Sequence, residues 1–343
     1  MNYNLPYKSL LIVFAVMAFV VGFYPNSASA FTLTPTRFEL SGNPGDIIKG
    51  EMTLTNEGDV DEDYYASFSN FEAQGESGTP AFVEPKDDLG TWIKPEFNSV
   101  HLAPRQQKVV GLTITIPKDA EPGGHFAVVF WGTSPTSGPN GVSVGSKTGA
   151  LVLLSVNGNV KESAGLLSFN TTDKNFWYKT LPVPLEYRFR NDGGDRVKPV
   201  GTITIRNTFF IPTEKLDANP VEGNILPKST RKFVVDWVNY KHDAGYVIPT
   251  GFVEKFFSEV SYQWKNFAVG LYSAKLNLDY GLKGDHVAKT VYFFVFPWQL
   301  VLVMLVVFSV LFWGGKKLIK KYNKHIIEKA RATMKNSSES FHV

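Results

Sequence analysis

The sequence predicts an all-β fold: two immunoglobulin-like β-sandwich domains followed by one C-terminal transmembrane helix. Three observations carry that expectation. Between Phe31 and Tyr292, apolar and polar residues alternate with a period of two, as in Leu112, Ile114 and Ile116 against Thr113 and Thr115. That is the pattern of strands with one face in a core and one in water. Turn signals such as Asn43-Pro44-Gly45-Asp46, Glu121-Pro122-Gly123-Gly124 and Asn191-Asp192-Gly193-Gly194 interrupt the alternation at short intervals, which favours sandwiches over interleaved helices. Finally, Val291 to Trp313 is a run of 23 residues without a charge, and lysines follow it at once.

Taken in order, residues 1–30 predict a signal peptide. Lys8 gives a positive start, Leu10 to Phe23 is apolar, and Ala28-Ser29-Ala30 supplies a small-residue cleavage site. Residues 31–160 form the first expected sandwich, with strands near 32–40, 47–56, 63–73, 99–103, 107–116, 124–132 and 148–158. Residues 161–292 form the second, with strands near 165–170, 183–190, 200–207, 230–237, 270–280 and 286–295. The expected transmembrane helix is 293–313, with Pro297 in its first turn and Trp298 and Trp313 at the two interfaces.

Residues 314–343 form a basic tail of eight Lys/Arg against Glu328 and Glu339. Positive residues stay cytoplasmic, so the expected orientation is N-outside, with a single-pass protein in the cell membrane and its ectodomain extracellular or periplasmic. Leu318, Tyr322, Ile326, Ala330 and Met334 have helical spacing. A plain stop-transfer tail and an amphipathic helix on an anionic leaflet both fit it. Asn336 to Val343 are expected to lack order.

Composition narrows the function classes. From Phe31 to Trp313 there are 26 basic and 30 acidic residues, which does not resemble the basic face of a nucleic-acid binder. The chain contains no cysteine, so neither thiol chemistry nor a disulfide is available, and burial must hold an exported fold together.

Gly141-Val142-Ser143-Val144-Gly145 matches a nucleophile-elbow pattern, but its Gly/Ser-rich surroundings do not predict the strand–turn–helix context the elbow needs. The six histidines form no His-x-x-x-His pair. Asp59, Asp61, Glu62 and Asp63 could offer oxygen ligands to a calcium ion, though they also suit a solvated turn. No enzyme activity and no cofactor are expected.

Two segments are longer than a sandwich needs. Residues 74–98 hold Asp87 and Asp88 near Trp92 and Phe97, and residues 238–268 hold Trp264 with several phenylalanines. Phe252, Phe256, Phe257 and Val260 fit one face of a short helix there. Long loops on a rigid scaffold are where binding concentrates, so Trp92, Phe97, Asp87, Asp88 and Trp264 are the candidate ligand-binding residues. The same aromatics would equally cap the open ends of the cores.

The first half resembles a known family in the order of Pro35, Phe38-Glu39-Leu40, Pro44-Gly45-Asp46, Thr53-Leu54-Thr55-Asn56, Trp92, Leu102-Ala103-Pro104, Val110 to Pro117, and Asp119-Ala120-Glu121-Pro122-Gly123-Gly124-His125. It looks like the peptidoglycan-binding domain of the WxL-interacting proteins of bacterial cell surfaces. Asn191 to Asp195, Pro199-Val200-Gly201-Thr202-Ile203, Asn224-Ile225-Leu226-Pro227 and Gly270-Leu271-Tyr272 are similar to that family's membrane-proximal sandwich. The resemblance implies surface anchoring and the binding of peptidoglycan or secreted surface proteins, and it transfers no binding residue. The expected role is thus a non-enzymatic adaptor or adhesion protein. The alternative is a structural or assembly subunit of a membrane protein complex.

Overall fold

The computed structural model describes residues 31–133, 146–238 and 249–339. The expected signal peptide and the Gly141–Gly145 pattern lie outside the described residues. The described chain forms eighteen strands and three helices. It divides into two compact units. The first runs to Ser163 and takes in Asp192–Arg196 and Leu226–Ser229; the second contains the rest, including the C-terminal helix.

In the first unit, one sheet has the order β1-β3-β8-β6, formed by β1 (Phe31–Thr34), β3 (Ile47–Asn56), β8 (Gln107–Thr115) and β6 (Ile93–Pro95). The facing sheet has the order β2-β10-β9-β4-β5, from β2 (Arg37–Gly42), β10 (Lys147–Val156), β9 (Gly123–Gly132), β4 (Glu62–Gln74) and β5 (Thr79–Val83). A short strand, β7 (Ser99–Leu102), also pairs with β4.

The single strand expected over 32–40 is therefore two strands, one in each sheet. Pro35 sits between them and has no N–H to carry a ladder onward, so β1 pairs with β3 while β2 runs parallel to β10. Alternate residues of β8 and β9, such as Val110, Leu112, Ile114, Ala127, Val129 and Trp131, fill the space between the sheets. The Trp131 indole donates to the Met52 sulfur at 3.2 Å, so its one polar atom is not stranded.

Residues 74–98 are not the open loop expected from their length. They hold β5, a one-turn helix α1 (Leu89–Trp92), and β6. The Thr79–Val83 and Ile93–Pro95 stretches are too short to show alternation, which is why the sequence pattern missed them.

The second unit pairs a three-stranded sheet, β11-β13-β16, with a five-stranded sheet, β12-β18-β17-β14-β15. The strands are β11 (Ala164–Thr171), β12 (Trp177–Tyr178), β13 (Val183–Asn191), β14 (Val200–Arg206), β15 (Pro212–Asp217), β16 (Ser229–Trp237), β17 (Gly270–Tyr280) and β18 (Asp285–Val295). Strands β12 and β15 were not anticipated; one has two residues and the other is mostly exposed. The core is aromatic: Tyr187 stacks on Phe233 at 4.7 Å, and Trp237 tilts against Tyr272 and Phe293. Each such ring withdrawn from water contributes about 1.5–3 kcal/mol.

Helix α2 (Phe252–Lys265) precedes β17, and α3 (Trp298–Glu339) follows β18. The apolar run that suggested a span from Val291 is shared between two elements. Its first five residues belong to β18, where Tyr292 to Val295 pair with Ser273 to Gly270. The start of the helix moves from Phe293 to Trp298 because the ladder with β17 satisfies those backbone groups first. Among the described residues α3 is the one helix long and apolar enough to cross a membrane. It continues without a break to Glu339, so residues 336–339, expected to lack order, are helical.

Candidate functional site

The candidate residues fall in three places. Asp88 and Trp92 meet in the first unit, through a residue that the sequence reading did not select. Asp88 caps α1 with its side chain, which accepts from the Leu89 N–H at 2.7 Å, and its backbone holds a φ of 95°. With a ψ of −173°, that conformation lies in a region otherwise nearly confined to glycine. The same carboxylate oxygen meets His125 Nδ1 in a short contact, and His125 Nε2 meets the Glu121 carbonyl at 2.8 Å. The Trp92 ring lies 4.8 Å from the imidazole.

Both partners of His125 accept and cannot donate, so both ring nitrogens must carry hydrogen. The geometry therefore calls for an imidazolium. Burial works against that charge. The hydrogen bonds to Asp88 and the Glu121 carbonyl, with the charges of Asp88 and Asp195, outweigh it and raise the pKa above the usual histidine value.

Asn70 completes the turn: its amide donates to the Asp87 carbonyl at 3.0 Å and accepts from the Gly90 N–H at 2.8 Å. His125 shares the parity of Ala127, Val129 and Trp131, which line the core. Leu89 and Gly90 are buried beneath it. The cluster thus plugs an open end of the first sandwich, with Asp87 exposed and Trp92 half-buried against the core.

Phe97 and Trp264 are not part of this cluster. Phe97 lies past the end of β6, its ring under the Lys108 ammonium at 4.6 Å. Trp264 is in the second unit, on α2, and is 66% exposed. The acidic corner is divided between partners: Asp59 pairs with Arg105 at 2.8 Å and Asp63 with His101 at 2.9 Å. Among the described residues no three His, Asp or Glu side chains gather as a metal site. The sequence signal that could have found His125 is its place directly after Pro122-Gly123-Gly124, where a strand begins against the Asp88–Trp92 turn.

The second unit carries a polar clasp between α2 and the first turn of α3. Gln263 accepts from the Leu300 N–H at 2.9 Å. Its amide donates to Gln299, and the Gln299 amide donates in turn to Glu259. Gln263 and Gln299 are almost fully buried. The clasp satisfies an N–H at the start of α3 that no carbonyl within that helix can reach.

No family model and no curated protein matches the chain. Solved structures do. The chain is similar to fimbrial chaperones. The class 5 fimbriae chaperone CfaA shares 15% identity over 76% of this chain and 98% of its own, with a TM-score of 0.37. The CsuC–CsuE chaperone–tip adhesion subunit complex of Acinetobacter baumannii shares 12% over 78% and 99%, with a TM-score of 0.34. The E. coli chaperone DraB shares 10% over 77% and 97%, with a TM-score of 0.32.

Proposed function

We propose that the chain is a non-enzymatic, single-pass surface adaptor, with its β units outside the membrane and its lysine-rich end inside. The second unit serves as a mount, and the first presents a binding face to cell-wall glycan or to a secreted surface protein. The observation that carries this reading is the junction of β18 and α3. Only Phe296 and Pro297 separate the last ladder pair from the apolar helix, so the second sandwich stands directly on the span.

The polar cluster of the first unit fits a binding role better than a catalytic one. Both His125 nitrogens are committed to acceptors, and the Asp88 oxygen that meets His125 already holds the Leu89 N–H. The imidazole is therefore not free to act as a base. What is accessible near it is the half-buried Trp92 ring and the exposed Asp87 carboxylate. Aromatic faces beside carboxylates suit sugar rings, which offer C–H faces and hydroxyl donors. The order of motifs shared with WxL-interacting proteins supports the wall as the ligand.

The test is retention of the full-length protein, in detergent, on purified cell wall and separately on immobilised secreted surface proteins. The expected result is retention by one of the two, reduced at least tenfold by a Trp92→Ala, Asp87→Asn double substitution, which corresponds to about 1.4 kcal/mol or more. Retention by neither material contradicts the proposal.

A further inference from the structure

We propose that α2 and the turn between β14 and β15 form a second membrane contact, lying in the interfacial layer of the leaflet that α3 enters. From Val295 to Trp298 the chain advances three residues, about 10 Å even if fully extended. The headgroup layer on each side of a bilayer is roughly 5–8 Å thick. Helix α2 is fixed to the first turn of α3 through Gln263, Gln299 and Leu300, and the Phe256 ring lies 6.3 Å from that of Trp298. Its depth is therefore that of the membrane surface.

The faces of α2 agree with that placement. With successive residues turned by about 100°, Phe256, Glu259 and Gln263 point towards α3. Val253, Phe257 and Trp264 form the next stripe, with the half-buried Val260 among them, and all three are exposed. Glu254, Ser261 and Lys265 occupy the arc beyond. One helix thus carries a packed face, an uncovered apolar face and a polar face, the arrangement of a helix lying in the plane of an interface. The uncovered stripe adjoins the face that packs on α3.

The β14–β15 turn adds an independent observation. Phe209, Phe210 and Ile211 are consecutive, and each is more than half exposed. The turn is not loose: Asn207 Oδ1 accepts from the N–H groups of Phe209 at 3.0 Å and Ile211 at 3.1 Å, and Arg206 donates to the Phe210 carbonyl at 3.1 Å. Thr208 Oγ1 donates to the Leu271 carbonyl and accepts from its N–H, both at 3.1 Å. Leu271 is the register partner of Phe294, so this turn stands at the end of the sheet from which α3 departs. Three bulky apolar side chains held out in a bonded turn suit an interface where aromatic rings are half in lipid.

The absence of cysteine allows a direct test. Full-length Phe257→Cys, Phe210→Cys and Lys283→Cys variants would each be labelled with an environment-sensitive fluorophore and reconstituted in vesicles of phosphatidylcholine and phosphatidylglycerol. Lys283 lies in the turn between β17 and β18, at the opposite end of the sheet. The expected result is blue-shifted emission at 257 and 210, quenched about twofold or more by lipids spin-labelled near the top of the acyl chain, with water-like, unquenched emission at 283.

Emission at 257 and 210 like that at 283 overturns the proposal. So does blue-shifted emission that the lipid quencher cannot reach, which would assign the surface to a protein neighbour. A readout without labels guards against misfolded variants: brominated lipid should quench less of the total tryptophan emission in Trp264→Phe than in the unsubstituted protein. Equal quenching also contradicts the assignment.

Discussion

Asn56 shows what one side chain does where a strand must stop. It is fully buried at the end of β3. Its amide donates to the carbonyls of Val60, Leu102 and Ala103, and its oxygen accepts from the Gly58 N–H. Four backbone groups depend on it, and an alanine leaves them without that partner. We predict that Asn56→Ala lowers unfolding stability by about 2–4 kcal/mol, read from denaturant midpoints of the full-length protein in detergent.

At the same scale His125 gives a prediction with a sign. Its pKa is raised in the folded state, so the native chain binds the proton more tightly than the unfolded one. The stabilisation is complete below the unfolded value of about 6.5 and is lost as pH rises through the higher folded value. His125→Gln should remove this component of the pH dependence, measured as the change in melting temperature across that window. A profile unchanged by the substitution would show that the imidazolium is not what holds the plug. Asn56 was legible as the end of the strand expected over 47–56. The turn before His125 was legible too, but its pairing was not, because Asp88 is 37 positions away and only the closing of the sandwich brings them together.

Elements were legible in proportion to their length and to the regularity of their burial. Strands β8 and β13 alternate cleanly, as β17 does from Ala274 onward, and the structure places each where the pattern predicts. Strands β5, β6, β12 and β15 have six residues or fewer and lie at the edges of their sheets, where burial imposes little pattern.

The start of α3 is hidden in the sequence for a related reason. Val291 to Val295 are as apolar as a span, but composition cannot distinguish backbone paired in a ladder from backbone paired in a helix. The clasp on α2 was invisible as well, since Gln263 and Gln299 carry no motif and matter only as a pair. We predict that Gln263→Ala, which removes the acceptor of the Leu300 N–H and the donor to the Gln299 side-chain oxygen, weakens protection of α2 against hydrogen exchange. The expected loss of local stability is about 1–3 kcal/mol, while the exchange of β17 stays as it was. Equal loosening of both would mean that the clasp supports the sandwich rather than the helix.

At the scale of the whole molecule, the division of labour follows from two kinds of burial. The sandwiches close their apolar faces against themselves, as the continuous cores of the two units show. Helix α3 leaves most of its apolar side chains uncovered, and only a bilayer or another apolar surface can take them. From Trp298 to Gly315 its uncharged length is about 27 Å at ~1.5 Å per residue, close to the roughly 30 Å of a hydrocarbon core. Lys316, Lys317, Lys320 and Lys321 then follow. A span this close to the minimum leaves no slack, and it draws Trp298 and the elements clasped to it towards the headgroups.

The most direct test of this arrangement uses the cysteine-free chain itself. Single cysteines would be placed at Ser77 in the first unit, Lys283 in the second and Lys320 beyond the apolar segment, all of them exposed positions. A maleimide that cannot cross membranes would then be added to intact, wall-stripped cells. Labelling is expected at 77 and 283, with none at 320 until the membrane is opened with detergent. Labelling at 320 with protection of 77 and 283 would place the sandwiches inside the cell and contradict it.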